Sequence, residues 1–126
     1  VAQTAANLGR VLVRRDKLTE AETLAREYLA VCERLTPDDW RTFNYQSLLG
    51  RALLGLRKHA EAEPLLVSGY AGLKQRENRV PYHWKPRLKE ALQSLVTLCE
   101  ETNRPDQARE WMSKLAEFEK TTLPQP

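Results

Sequence analysis

Apolar residues recur along this chain at spacings of three and four rather than two, the periodicity of helices that bury one stripe. Ala5, Leu8 and Leu12 share one such stripe, and Leu18, Ala21, Leu24, Ala25, Tyr28, Leu29, Cys32 and Leu35 the next. Trp40, Phe43, Leu49, Ala52, Leu53 and Leu56 form a third, and Ala62, Leu65, Leu66, Tyr70 and Leu73 a fourth. Leu88, Leu92, Leu95 and Cys99, then Ala108, Trp111, Met112 and Leu115, complete six predicted helices.

These stripes repeat. Leu8-Gly9 with Leu18 to Leu24 returns as Leu49-Gly50 with His59 to Leu65, every element displaced by 41 positions. A third copy, Leu95-Val96 with Arg104 to Glu110, follows 46 positions later, so five extra residues fall near Asn78 to Trp84. A helix pair that buries only part of its apolar surface completes its burial by stacking on the next. The pattern therefore predicts an all-α solenoid of three antiparallel helix pairs: repeat one over 2–35, repeat two over 36–78, an insertion over 79–84 and repeat three over 85–119. Residues 120–126 read as a polar, proline-containing tail, and residues 1–119 as a single domain.

Boundary chemistry agrees. Thr36-Pro37-Asp38-Asp39 offers a hydroxyl cap, a proline and acidic side chains where a helix should begin. Pro105 can open the last helix, Pro81 and Pro86 interrupt the chain between repeats two and three, and Pro64 sits one turn inside its own helix. Gly9 and Gly50 fall mid-helix, where glycine costs about 1 kcal/mol relative to alanine. Close helix contacts, with Ala21 and Ala62 as the matching small surface, are the expected reason.

Leu-Gly on a first helix, a small alanine on the second and a helix-turn-helix unit resemble tetratricopeptide repeats over nearly the whole chain. A unit of about 42 residues exceeds the usual 34 and is similar to the long-helix variant of kinesin light chains and related bacterial proteins. Leu12 and Leu53 replace the usual aromatic, and Val96 replaces the third glycine, so repeat three reads as a closing cap. The stretch from Ala60 to Lys74 also resembles C-terminal repeat regions of bacterial serine/threonine kinases. That resemblance implies an accessory region of a larger enzyme, since no kinase motif is present in this chain. Opening on Val1 inside a helical pattern fits a piece or processed form of a longer polypeptide.

The resemblance implies a right-handed superhelix whose first helices line a concave groove for a peptide. Candidate groove residues are Gln3, Arg10 and Arg14 from unit one, Asn44, Ser47 and Arg51 from unit two, and Gln93 and Thr97 from unit three. Ala6, Val13, Leu54, Gly55, Glu90 and Glu100 share these faces. Arg10, Arg14 and Arg51 would suit an acidic partner. Ala6 and Ser47 stand where the chaperone-tail clamp of this family wants polar anchors, which disfavours that partner. Tyr82 and Trp84 in the insertion either anchor an interface or fold back over the last helix pair, the second being the preferred reading.

Charge and composition narrow the classes. The net charge of +3 arises in residues 1–58, with ten Lys or Arg against seven Asp or Glu. Nucleic-acid binders concentrate charge far more strongly, so no nucleic-acid partner is expected. Apolar runs fall far short of the ~20 residues that cross a bilayer, so no membrane insertion is expected and a cytoplasmic location is the reading, compatible with a membrane-tethered parent. Cys32 and Cys99 are expected buried and unpaired. His59, His83 and the cysteines lack metal-ligand spacing, glycines form no phosphate cradle, and Glu100-Glu101 or Glu61 with Glu63 diverge on a helix. No catalytic, metal or cofactor site is expected. The chain reads as a protein- or peptide-binding scaffold; the alternative is a structural or self-association module that stacks on a neighbouring domain or copy.

Overall fold

Each apolar stripe becomes one helix in the computed structural model, which describes the backbone of residues 2–121 and the side chains of residues 5–121. The helices are α1 (Ala2–Arg14), α2 (Leu18–Leu35), α3 (Trp40–Gly55), α4 (His59–Gln75), α5 (Pro86–Glu101) and α6 (Pro105–Thr121). Consecutive helices pair, and α3 touches α1, α2, α4 and α5, so the second pair is sandwiched between the other two. Among the described residues no strand forms. The architecture is an all-α solenoid of three helix pairs, and residues 122–126 of the expected tail lie outside the described residues.

The three hairpins close alike. After α1, the Lys17 N–H donates to the Leu12 carbonyl at 2.8 Å and the Asp16 N–H to Val13 at 3.1 Å. Lys58 to Leu53 and Arg57 to Leu54 repeat these bonds at 2.9 and 3.0 Å, as do Arg104 to Cys99 and Asn103 to Glu100 at 2.8 and 3.2 Å. This cap satisfies the last helical carbonyls and requires one residue with left-handed backbone. Asp16, Arg57 and Asn103 supply it, with φ of 58°, 65° and 61°. Asp and Asn accept that conformation readily, whereas an arginine is strained there.

Helix starts differ in one respect from expectation. Asp39, not Thr36, caps α3: its carboxylate accepts the Arg41 N–H at 2.9 Å. A cap must lie two or three residues before the amide it satisfies, and Thr36 lies too early; its carbonyl instead accepts from the Thr42 hydroxyl at 2.7 Å. Pro86 opens α5, and α4 continues through Pro64. Between α4 and α5 the chain makes two short 3-10 turns, Glu77–Arg79 and Tyr82–Trp84.

Glycine explains the closest contacts, though against other partners than expected. Ala21 and Ala62 are fully buried, but a Cβ on Gly50 would meet Leu66 at 2.7 Å and one on Gly9 would meet Leu48 at 2.5 Å. The tightest backbone approach is at Gly69 of α4, where a Cβ would stand 2.8 Å from the Ser47 nitrogen and 3.0 Å from the Phe43 oxygen. Aromatic pairs fill the rest: Tyr28 stacks on Tyr45 at 5.8 Å, and Tyr70 meets Trp111 edge-on at 5.6 Å. Trp84 folds inward, packing on Trp40 at the start of α3, 5.6 Å away, with the Arg87 guanidinium of α5 over its ring. Tyr82 stays exposed. Cys32 and Cys99 are buried and unpaired, and burial pushes both thiols above their ordinary pKa.

Candidate functional site

Pairing the helices places α1, α3 and α5 side by side, because α3 touches the first helix of each neighbouring pair. Between them opens a cleft of about 390 Å³. Val13 comes from α1, Arg51 and Leu54 from α3, and Glu90, Gln93, Ser94 and Thr97 from α5, while Asp16, Gly55 and Arg57 close one end.

Of the candidate groove residues, Arg51, Gln93 and Thr97 line this cleft. Gln93 is exposed, and Thr97 donates its hydroxyl back to the Gln93 carbonyl at 3.1 Å. Asn44 and Ser47 are buried, at 7% and 3% exposure, so neither presents a free surface. Ser47 stands where α3 and α4 cross most closely. A helical wheel places both on the concave side, but α3 has neighbours on four sides and little of its circumference remains open. The side chain of Gln3 lies outside the described residues.

The arginines converge on one carboxylate. Arg10 donates to Glu90 through Nε at 3.2 Å and Nη2 at 2.9 Å, and Arg51 through Nη1 at 3.4 Å. Arg14, largely exposed, reaches within 3.7 Å of the same group. Arg87, one turn before Glu90 on α5, places its Nε 3.1 Å from Glu90 Oε1. That N–H is misaligned and lacks a hydrogen-bond partner among the described residues, so the contact is an ion pair and not a hydrogen bond. Burial opposes ionisation of Glu90, but hydrogen bonds from Arg10 and the charges of Arg51 and Arg87 outweigh it and hold the carboxyl below its ordinary pKa. Burial lowers Arg51, and it lowers Arg87 to about 10. Both remain charged at neutral pH, so four cations surround one anion.

Arg87 was not a candidate from the sequence. Its spacing of three from Glu90 was the available signal, and Trp84, whose ring lies 5.5 Å from the guanidinium, fixes it from the insertion side.

Three of the other acidic candidates, Glu61, Glu63 and Glu101, also have partners. Glu63 takes a bidentate contact from Arg104 at 2.8 and 3.0 Å, Glu61 accepts from Arg26 at 3.3 Å, and Glu101 lies 2.8 Å from His59 Nε2. Arg26 also donates to Glu22, one turn earlier on α2, at 2.9 Å. His59 is thus partnered across the α4–α5 junction. Among the described residues no group of three or more potential metal ligands comes together, and no helix is long and apolar enough to cross a membrane.

The tetratricopeptide-repeat family model matches residues 1–75, the first two helix pairs to the end of α4. The chain belongs to the tetratricopeptide-repeat family. Neither a curated protein nor a solved structure matches it. Tetratricopeptide repeats are in general units of protein–protein interaction and are typically not catalytic, which agrees with a concave face built from three successive first helices.

Proposed function

We propose that this tetratricopeptide array receives a segment of a partner protein along the α1–α3–α5 cleft, with an acidic group of the partner held near Arg14 and Arg51. The observation that carries this reading is the charge imbalance at the head of the cleft: Arg10, Arg14, Arg51 and Arg87 share Glu90 as counterion. Glu90 accounts for much of the hydrogen-bonding capacity of Arg10 and Arg51, so Arg14 is the freest cation of the four. Gln93 and Thr97 further along α5 would contact the partner backbone.

Selection of displayed random peptides against the chain, followed by calorimetric titration of the enriched sequences, tests this. Enrichment of Asp or Glu is expected. Arg14→Glu should weaken the selected peptides by about tenfold or more, the loss of a charge-assisted hydrogen bond, while the melting temperature stays near wild type because Arg14 is exposed. Full affinity in both Arg14→Glu and Gln93→Glu would remove the cleft from consideration.

A further inference from the structure

Charge is unbalanced along the α1–α3–α5 cleft. Asp16, Glu90 and Glu101 line it together with Arg51 and Arg57, and Arg10, Arg14 and Arg87 converge on Glu90 from beside it. Five cations therefore meet three carboxylates, a difference of two charges. Two of the carboxylates are already engaged: Arg10 takes both oxygens of Glu90, and Glu101 lies 2.8 Å from His59 Nε2. Arg51 keeps only 16% side-chain exposure, yet among the described residues its one hydrogen bond is the 3.4 Å contact from Nη1. A guanidinium carries several further N–H donors. Those of Arg51 lack a protein partner in a largely desolvated place, the setting in which another anion is worth most.

Arg57 points to a ligand independently. It holds left-handed backbone with φ of 65°, where its counterparts in the other two turns are Asp16 and Asn103, residues that accept the conformation. Strain of this kind is kept where a side chain serves a ligand. Nothing within the fold accounts for the choice of arginine: the side chain is exposed, and among the described residues it makes no ion pair or hydrogen bond. Its place is in the wall of the cleft.

We propose that the cleft binds a phosphoryl group, so that the segment it receives is one phosphorylated on serine or threonine. The proposal rests on the reading of the cleft as the site for a partner's acidic group and names that group. A carboxylate brings one negative charge on two oxygens. A phosphoryl group brings nearly two charges at neutral pH on three strong acceptor oxygens, which matches the charge difference and offers acceptors to more than one guanidinium. Arg51 is the central donor, and the exposed Arg14 and Arg57 close on the group from α1 and from the α3–α4 turn.

Pools of synthetic random peptides with a fixed phosphoserine, glutamate or serine are captured on the immobilised chain. The best sequences of the phosphoserine and glutamate pools are then resynthesised in all three forms for calorimetric titration. The phosphoserine form should bind about tenfold tighter than the glutamate form, and the serine form weakest. Phosphoserine takes up its second proton near about pH 6, so lowering the pH from about 7.5 to about 5.5 should weaken it about threefold relative to the glutamate form, which subtracts titration of the chain's own groups. Arg57→Gly relieves the turn, so the melting temperature should hold or rise while the phosphoserine peptide weakens about twofold to fivefold. Arg109→Gln, an exposed change on α6, should leave binding unchanged. Equal affinity of the phosphoserine and glutamate forms, both weakened by Arg14→Glu, overturns the phosphoryl assignment and leaves the acidic-segment reading standing; absence of binding by any form removes both. Inorganic phosphate that competes at the peptide's own concentration, or full affinity in Arg57→Gly, also overturns the proposal.

Discussion

Replacing Glu90 by glutamine keeps the side-chain shape and removes the carboxylate that offsets Arg10, Arg14, Arg51 and Arg87. Each charge pair at these separations is worth about 4 kcal/mol before desolvation is counted, and breaking a buried pair from one side costs about 3–5 kcal/mol because the partner stays charged. Glu90 keeps 15% side-chain exposure, so the lower end, about 3 kcal/mol, is the expectation. For a chain of 126 residues the unfolding entropy is about 0.26 kcal/mol/K, and the melting temperature should fall by about 11 °C. Arg87→Met is the informative companion. It removes a cation whose Nε lacks a hydrogen-bond partner and keeps an unbranched stem against Trp84, so it should change stability by less than about 1 kcal/mol.

Calorimetric melts at neutral pH and low salt measure both variants, and sulfate should restore part of the Glu90→Gln loss by screening the four guanidiniums. Acid adds a second readout. The folded pKa of Glu90 lies below its unfolded value, so its contribution is fully present above the unfolded pKa and is lost as pH falls through the folded one. Wild type should therefore lose more stability on acidification than Glu90→Gln. A Glu90→Gln melt that coincides with wild type, or an equal drop in Arg87→Met, would refute the view that this carboxylate holds the first helices together.

Two further outcomes concern the scaffold. Gly69→Ala gains about 1 kcal/mol of helix propensity, but the new Cβ meets backbone atoms of Ser47 and Phe43 that have no rotamer to change. A net loss of about 1–3 kcal/mol is expected in urea unfolding, and an unchanged midpoint would contradict the close crossing of α3 and α4. Arg57→Gly relieves a left-handed residue with φ of 65° and should raise stability by about 1 kcal/mol. Asp16→Gly at the matching turn should gain less because aspartate tolerates that conformation, so equal gains would show that side-chain identity is immaterial there.

Much of the fold was legible because each repeat writes its own local signals. The offsets of 41 and 46 that align the apolar stripes also separate Asp16, Arg57 and Asn103, so one turn geometry is reproduced three times by chemistry close in sequence. The Asp39 cap was missed by three residues because three capping candidates, Thr36, Asp38 and Asp39, lie within four positions. The site was less legible for a physical reason. Glu90 binds arginines 80 and 39 residues away, and no local periodicity carries a contact of that range. Asn44 and Ser47 sit on the predicted face, yet burial on a central helix is decided by neighbours from four other helices. Leu8 shows the converse: it lies on a sound apolar stripe and is half exposed because nothing among the described residues covers that edge.

The three arginines that suggested an acidic partner therefore do different work, and experiments on them answer different questions. Arg10 and Arg51 keep only 18% and 16% side-chain exposure and direct their donors at Glu90. Reversing either to glutamate sets two carboxylates within the same partly buried cluster, and the first consequence is loss of the α1–α3–α5 contacts. Weak capture of a partner by such a variant reports an unfolded cleft as readily as a lost contact. Arg14 keeps 66% exposure and only a 3.7 Å approach to Glu90, so its reversal leaves the counterion network largely in place. A binding loss at Arg14 without a stability loss, set beside a stability loss at Arg51 that precedes any binding measurement, is the pattern that separates a recognition cation from one that builds the concave face.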